Sequence, residues 1–246
     1  MSGELTSFSD SAGQHVAYED ANFHIHQLYY NGSWVDQDLT RVTGSQVADN
    51  STPLSSFSGG SQDEHIVFEY LYSSNVLHVE QYYYNGGWHA QDLTAAVGAP
   101  PVYSALTTFD DSQGQHVVYE DKNSYPNLHI HQLYYNGGWS DQDLTVESAD
   151  PDRPATSSPL TSFAEHVAYI SGNGGHVWQI YYTSNWASQD LTAAAGTSFT
   201  AAAGSPLTSF SDSNGQHVLY VDGDSHIHHL YYNNGVWVDQ DLTAIT

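Results

Sequence analysis

The feature that most limits what this chain can become is a phrase written five times. Residues 24–40 read HIHQLYYNGSWVDQDLT, and close copies begin at His129 (HIHQLYYNGGWSDQDLT) and His226 (HIHHLYYNNGVWVDQDLT). More distant copies begin at His78 (HVEQYYYNGGWHAQDLT) and His176 (HVWQIYYTSNWASQDLT). A second phrase precedes each of them: LTSFSDSAGQHVAYED from Leu5, LSSFSGGSQDEHIVFEY from Leu54, LTTFDDSQGQHVVYED from Leu106, LTSFAEHVAYI from Leu160 and LTSFSDSNGQHVLYVD from Leu207. The units start 49, 52, 54 and 47 residues apart. Self-similarity at that period means one supersecondary unit copied along the chain, so any function must be read per copy.

Within a unit the apolar period is two, which marks strands. The first copy predicts four: LTSF at 5–8, QHVAYED at 14–20, HIHQLYY at 24–30 and WVDQDLT at 34–40. A composition of 19 Tyr, 6 Trp and 39% hydrophobic residues also favours strands and turns over helices. Four antiparallel strands per unit, repeated about a centre, describe a propeller blade. The first strand is short and carries small Thr and Ser, as a crowded axis requires. Connectors such as RVTGSQVADNSTP at 41–53 can reach from the outer strand of one blade to the inner strand of the next. Neither end carries a polar capping unit, which an open solenoid would need. The sequence therefore predicts an all-β chain: a five-bladed β-propeller in one domain, 1–246, with blades at about 5–40, 54–94, 106–145, 160–192 and 207–243.

Asn31-Gly32 predicts a two-residue hairpin between the third and fourth strands. That register pairs Tyr29 with Trp34, Gln27 with Asp36 and Ile25 with Asp38, and leaves Leu28, Tyr30, Val35 and Gln37 on the other face. On the second strand Val16 and Tyr18 share a face, a pair that recurs as Ile66/Phe68, Val117/Tyr119, Val167/Tyr169 and Val218/Tyr220. This pair is expected to lie against the neighbouring blade.

Three Lys and Arg against 28 Asp and Glu give a formal charge of -25, which opposes nucleic acid and anionic membranes. The bland meaning of such acidity is solubility. With no cysteine there is neither a disulfide frame nor thiolate chemistry. The start MSGELTSFSD lacks a basic region followed by an apolar run, and no stretch is long and apolar enough to span a bilayer. The expectation is a protein that is cytoplasmic as synthesised, open to release by a non-classical route, with no membrane insertion.

Polar residues recur too. The second-strand histidine is His15, His65, His116, His166 and His217; the first histidine of the third strand is His24, His78, His129, His176 and His226. Gln-Asp recurs in the fourth strand at 37–38, 91–92, 142–143, 189–190 and 240–241. Buried polar groups must be hydrogen-bonded, so the third-strand histidine and Gln-Asp are expected to tie strands and connectors together. HxH puts two imidazoles on one strand face, a spacing zinc can use. The second histidine, however, is kept only as His26, His131 and His228, giving way to Glu80 and Trp178. With no third or fourth ligand of fixed spacing, neither a metal nor another cofactor is expected. No nucleophile elbow, HExxH or phosphate-binding glycine motif is present, and the obvious carboxylates recur, so no enzyme is expected.

Binding uses what is repeated: an aromatic platform for the C–H side of a sugar, with imidazole and amide groups for its hydroxyls. The order LTSF, HVAY, HIHQLYYNGSW resembles the repeat of fungal fucose-binding propeller lectins of the Aleuria aurantia type, in which motifs like IRVYY and IREY precede a turn and GW. The resemblance implies a multivalent carbohydrate-binding lectin whose partners are glycans on glycoproteins or glycolipids of other cells. It also implies sugar sites between adjacent blades. The family uses the Arg of the second strand, the Glu of the third and the Trp after the turn. Those places hold His15, Gln27 and Trp34; His65, Gln81 and Trp88; His116, Gln132 and Trp139; His166, Gln179 and Trp186; and His217, His229 and Trp237. Histidine thus replaces arginine throughout, and glutamine or histidine replaces glutamate. The fourth unit, with its shortened AEH turn and Trp178, is expected to carry a weakened or altered site. The alternative function is a non-catalytic scaffold that binds a polypeptide.

Overall fold

The strands form where the period-two pattern puts them. The computed structural model describes residues 5–50, 52–59, 64–156 and 158–245. The ends of the expected domain, residues 1–4 and 246, residues 60–63 of the expected second blade, and two connector residues, 51 and 157, lie outside these. The first repeat holds β1 (Leu5–Ser9), β2 (Gln14–Glu19), β3 (Ile25–Tyr30), β4 (Trp34–Asp38) and α1 (Leu39–Thr43). The second holds β5 (Ser55–Ser58), β6 (Glu64–Ser73), β7 (Val76–Tyr84), β8 (Trp88–Asp92) and α2 (Leu93–Val97). The third holds β9 (Val102–Asp111), β10 (Gly114–Asp121), β11 (Ile130–Tyr135), β12 (Trp139–Asp143) and α3 (Leu144–Glu147). The fourth holds β13 (Leu160–Phe163), β14 (His166–Ile170), β15 (Val177–Tyr182), β16 (Trp186–Asp190) and α4 (Leu191–Ala194). The fifth holds β17 (Leu207–Asp212), β18 (Gly215–Val221), β19 (Ile227–Asn233) and β20 (Val236–Asp241), closing on a 3-10 turn at Thr243–Ile245.

The first, fourth and fifth repeats are each a separate four-stranded sheet in chain order. In the second, β7 makes one further pairing, Leu77 with Val102, which continues its sheet into β9. The chain divides into two compact units, Met1–Val117 with Leu133–Asp141, and Val118–Gln132 with Gln142–Thr246. No helix of the described residues is long and apolar enough to cross a membrane.

Two expectations about the fourth strand are corrected. The first concerns its end: LT does not stay extended but opens a one-turn helix. Asp38 is the N-cap, its Oδ1 accepting the Arg41 N–H at 2.9 Å. Asp92, Asp143, Asp190 and Asp241 do the same for residues three further on, at 2.8–3.0 Å. Each cap satisfies an N–H that a helix start leaves unpaired, worth about 0.5–2 kcal/mol. The next two residues lock the turn onto the sheet. Leu39, Leu93, Leu144 and Leu191 are fully buried. The following threonine hydroxyl accepts a β3-type backbone N–H: Thr40 from Ile25, Thr94 from Val79, Thr145 from Ile130, Thr192 from Val177 and Thr243 from Ile227, at 2.8–2.9 Å.

The second correction is register. Tyr30 pairs with Trp34, Leu28 with Asp36, Gln27 with Gln37 and His26 with Asp38. The loop therefore has three residues, Asn31 to Ser33, with Gly32 at φ +75°. One residue more than expected turns every β4 side chain to the opposite face. The second and fourth repeats pair identically, Tyr84 with Trp88 and Tyr182 with Trp186. The fifth, one residue longer, keeps Tyr232 opposite Trp237 by turning on Asn234-Gly235.

Strand alternation then decides what buries what. The β2 face that carries Ala17 meets the Ile66/Phe68 pair of the next repeat in one core with Ile25, Leu39 and Tyr82. In the other unit Ala168 meets Val218 and Tyr220 in the same way. The recurring Val–aromatic pair does lie against the neighbouring repeat in both places. Inner strands are joined by hydroxyls: Thr6 to Ser56 at 2.7 Å, Ser55 to Thr108 at 2.6 Å and Thr161 to Ser209 at 2.8 Å.

One buried carboxyl works against the fold at neutral pH. Glu69 on β6 is 3% exposed, and its Oε1 has no hydrogen-bond partner among the described residues. Burial, and then the nearby Asp49, push it up to about 8. It is protonated in the fold at pH 7 but ionised in the unfolded chain. The stability this lends is complete below about pH 4.5 and is lost as pH rises through about 8. Glu69→Gln is expected to raise Tm by about 3 °C or more at pH 8 and to leave it unchanged near pH 4.5; an equal shift at both pH values would contradict this origin.

Candidate functional site

The register sets which side chains can meet. On one face of the first repeat lie His15, Gln27, Tyr29 and Gln37; on the other lie Tyr18, His26, Tyr30 and Trp34. A tryptophan and the His–Gln pair of one repeat therefore point opposite ways and cannot share a site. The tryptophan facing His15 and Gln27 is instead Trp88, from the following repeat. These three, with Gln37, Glu64 and Tyr84, line a cleft of about 510 Å3. The arrangement repeats one step on, where His65, Gln81, Gln91 and Gln115 face Tyr135 and Trp139 across about 530 Å3. In the other unit Trp186 Nε1 donates to Gln142 Oε1 at 3.3 Å, and Trp237 Nε1 donates to Gln189 Oε1 at 3.2 Å. The expected grouping of each tryptophan with its own repeat is corrected accordingly.

The cleft histidines are held on three sides. A phenylalanine from the inner strand stacks flat on each: Phe8 on His15, Phe57 on His65, Phe109 on His116, Phe163 on His166 and Phe210 on His217, with centroids 4.4–4.9 Å apart. His15 Nε2–H donates to Asp10 Oδ1 at 3.1 Å, which leaves Nδ1 to accept from Gln27 Nε2 at 2.9 Å. His116 and His217 bond the equivalent aspartates, Asp111 and Asp212, at 3.2 Å. The second and fourth repeats lack that aspartate, and the next repeat supplies an amide in its place. Gln115 lies 2.9 Å from His65 Nε2, and Gln216 lies 2.9 Å from His166 Nε2. Glu64 occupies the same sequence position as these glutamines and accepts from Gln27 Nε2 at 2.5 Å. Burial pushes the Glu64 carboxyl up, opposed by the Gln27 hydrogen bond and the nearby His15.

The remaining expected residues fall as follows. Gln132 is buried and Trp186 half-buried, while Trp34 is 52% exposed. In the fifth repeat His229 replaces the amide, with Nε2 2.8 Å from His217 Nδ1. Burial and then His217 push His229 below the ordinary histidine value. In the fourth repeat the amide is turned: Gln179 Oε1 faces His166 Nδ1 at 3.1 Å, and Gln179 Nε2 donates to Gln189 at 3.0 Å. Burial lowers the His166 imidazole. Trp237, at 5% exposure, closes over this cleft, so its geometry differs from the open clefts of the first two repeats.

The third-strand histidines take no part in the clefts. His24, His78, His129, His176 and His226 each place Nδ1 2.6–2.9 Å from the aspartate of Gln-Asp. They brace the helix cap, as expected for residues of the scaffold. The glutamine of the same dipeptide differs: Gln37 and Gln91 line clefts, and Gln142 and Gln189 hold the next tryptophan. Sequence reasoning missed this glutamine as a site residue, along with Glu64, Gln115, Tyr84 and Tyr135. The signal was present, because a glutamine stands immediately before the capping aspartate in all five units.

No family model matches the sequence, and no curated protein matches it. Solved structures do. AofleA from Arthrobotrys oligospora aligns over 98% of this chain and 71% of its own, with TM-score 0.64 and 18% identity. A variant of the Aleuria aurantia lectin in complex with α-methyl-L-fucoside aligns over 98% and 77%, with TM-score 0.63 and 17% identity. A further structure of that fungal lectin, described as a six-bladed β-propeller fold, gives TM-score 0.59. A thermostable family-43 glycoside hydrolase aligns over 97% and 92%, with TM-score 0.53 and 10% identity. Successive four-stranded antiparallel sheets and these likenesses together establish the fold: the chain is an all-β protein of the β-propeller kind.

Proposed function

We propose that the protein is a multivalent carbohydrate-binding lectin, a propeller of five blades whose sugar sites are the clefts between consecutive repeats. The observation that carries this reading is the recurrence of one arrangement. An aromatic ring from one repeat stands over a His–Gln pair of the repeat before it, and that pair is held by its own hydrogen bonds. Trp88 and Trp139 offer flat faces to the C–H side of a pyranose, while His, Gln37 or Gln91 and the tyrosine hydroxyls meet its oxygens. Weak identical sites on one scaffold gain avidity by multivalency. The complex of the Aleuria aurantia lectin with α-methyl-L-fucoside makes L-fucose the first sugar to test. In the second cleft imidazole and carboxamide take the place of guanidinium and carboxylate, which suits an uncharged sugar. No catalysis is proposed. Glycoside hydrolysis needs a carboxylate pair, and no carboxylate lines the second cleft among the described residues.

Binding to a glycan array, with competition by the free sugar, tests the reading. Trp88→Ala or Trp139→Ala is expected to weaken binding to immobilised glycan by about tenfold, through lost stacking and lost valency. Trp237→Ala is expected to weaken it less, because that cleft is already closed. Binding to polypeptides without glycan, indifferent to free sugar and to both tryptophans, would favour the scaffold.

In the clefts of the fourth and fifth repeats burial holds His166 and His229 below the ordinary histidine value. His166 and His229 are expected to titrate below pH 6.5, while His226, whose bond to Asp241 pushes it up, titrates above that value. A histidine-resolved NMR titration reads all three, and a common midpoint would contradict the assignment.

A further inference from the structure

We infer that the first and third repeats each hold a divalent transition-metal site of the zinc class, built on the HxH face away from the clefts. In the sequence HxH lacks further ligands, but the fold supplies them. In the first repeat His24, His26 and Asp38 present ligand atoms within 4.8 Å of one another, and in the third His129, His131 and Asp143 do the same. A second aspartate, from the end of the preceding strand, faces each cluster. His26 Nε2 lies 3.7 Å from Asp20 Oδ2 and 4.0 Å from Asp38 Oδ2; His131 Nε2 lies 3.7 Å from both Asp121 Oδ2 and Asp143 Oδ2. These separations are too long for hydrogen bonds. They are close to the ligand–ligand spacing of about 3.3 Å that four bonds of about 2.0–2.1 Å give in a tetrahedron.

The ligands are also oriented in the manner of a metal site, by bonds to their far atoms. Asp20 Oδ1 accepts the backbone N–H groups of Asn22 and His24 at 2.8 and 2.9 Å, while Oδ2, which takes only the Asn22 side-chain amide at 3.3 Å, faces His26. Asp38 Oδ1 is committed to the helix cap, and again Oδ2 faces inward. His26 Nδ1–H donates to Asp36 Oδ1 at 3.0 Å, which leaves Nε2 as the lone-pair nitrogen. In the third repeat Asp121 Oδ1 is held by Ser124 and the His129 N–H, and Asp143 Oδ1 by the Val146 N–H. Two imidazoles and two carboxylates suit zinc rather than calcium or magnesium, which take oxygen ligands. Binding through Nδ1 requires His24 or His129 to give up the proton shared with Asp38 or Asp143, which passes to Nε2 or to solvent. The strong negative charge of the chain favours cation capture.

The other repeats serve as internal controls. Glu80 and Trp178 replace the second histidine in repeats two and four. In the fifth repeat the same residue types have closed on each other. His228 is fully buried, sits 3.2 Å from Asp222 Oδ2 and 3.1 Å from Asp239, and is covered by the Phe199 ring at 4.6 Å. The two open sites differ as well. Arg41 Nε lies 3.6 Å from Asp38 Oδ2 and competes for it, whereas the corresponding residue of the third repeat is Val146. The third-repeat site is therefore the tighter.

Calorimetric titration of the intact protein with zinc chloride, and with cobalt(II) as a spectroscopic probe, tests the inference. Two equivalents are expected, one bound at least tenfold more tightly, with a four-coordinate cobalt absorption. His131→Gln should remove the tighter equivalent and His26→Gln the weaker. The double variant should remove both, while His228→Gln leaves two; the far-ultraviolet circular dichroism of each variant establishes that it folds. Fewer than one equivalent in the wild type, an octahedral cobalt spectrum, or a stoichiometry unchanged in a folded double variant would overturn it.

Discussion

Side chains on a strand alternate between faces, and a hairpin turn of fixed length sets that alternation on the strand that follows. This constraint governs where function can sit in the molecule. The three-residue turn at Asn31 to Ser33 puts Trp34 behind the sheet that carries His15, Gln27 and Gln37. No single repeat can then bring its tryptophan and its His–Gln pair to the same side. The two halves meet only where one repeat faces the next, as Trp88 faces His15 and Gln27. Where these repeats meet, the earlier one gives its polar face and the later one its tryptophan, as the first and second do and the second and third do.

The recurring polar residues divide accordingly into two kinds of work. Asp38 and its equivalents cap a one-turn helix with one oxygen and hold a histidine with the other, while the threonine two residues on takes up a strand N–H left without a ladder partner. These bonds secure the outer edge of each sheet to its connector. The preceding glutamine, one residue earlier and so on the other face, looks into the cleft instead. Adjacent residues of a single dipeptide thus face the helix cap and the cleft separately, because a strand cannot point two neighbours the same way. The HxH face uses the same alternation again, and gathers aspartates from the ends of two strands around one imidazole.

Much of this was legible in the sequence. The five copies, the four strands of each, and the burial of the Ile66/Phe68 pair against a neighbouring repeat follow from the repeated strand pattern. His15 with Gln27, and His65 with Gln81, were grouped only through the family resemblance, and strand pairing puts each pair on one face. What failed was local. Asn-Gly fits both a two-residue and a three-residue turn, and the one-residue difference inverted Trp34. Asp-Leu-Thr continues an alternating pattern, which hid the helix cap. The partnership of Trp88 with His15 joins residues from different copies, and a pattern compared copy by copy cannot reveal which neighbour a face will meet. The aspartates beside His26 were invisible for a related reason: Asp20 and Asp38 flank it from separate strands, and only pairing brings them together.

The most direct test is a crystal structure of the protein with a bound monosaccharide. The account expects a sugar ring stacked on Trp88, with hydroxyls within hydrogen-bond distance of His15 or Gln27 of the preceding repeat. A sugar bound wholly by residues of a single repeat, with Trp88 and Trp139 uninvolved, would contradict it.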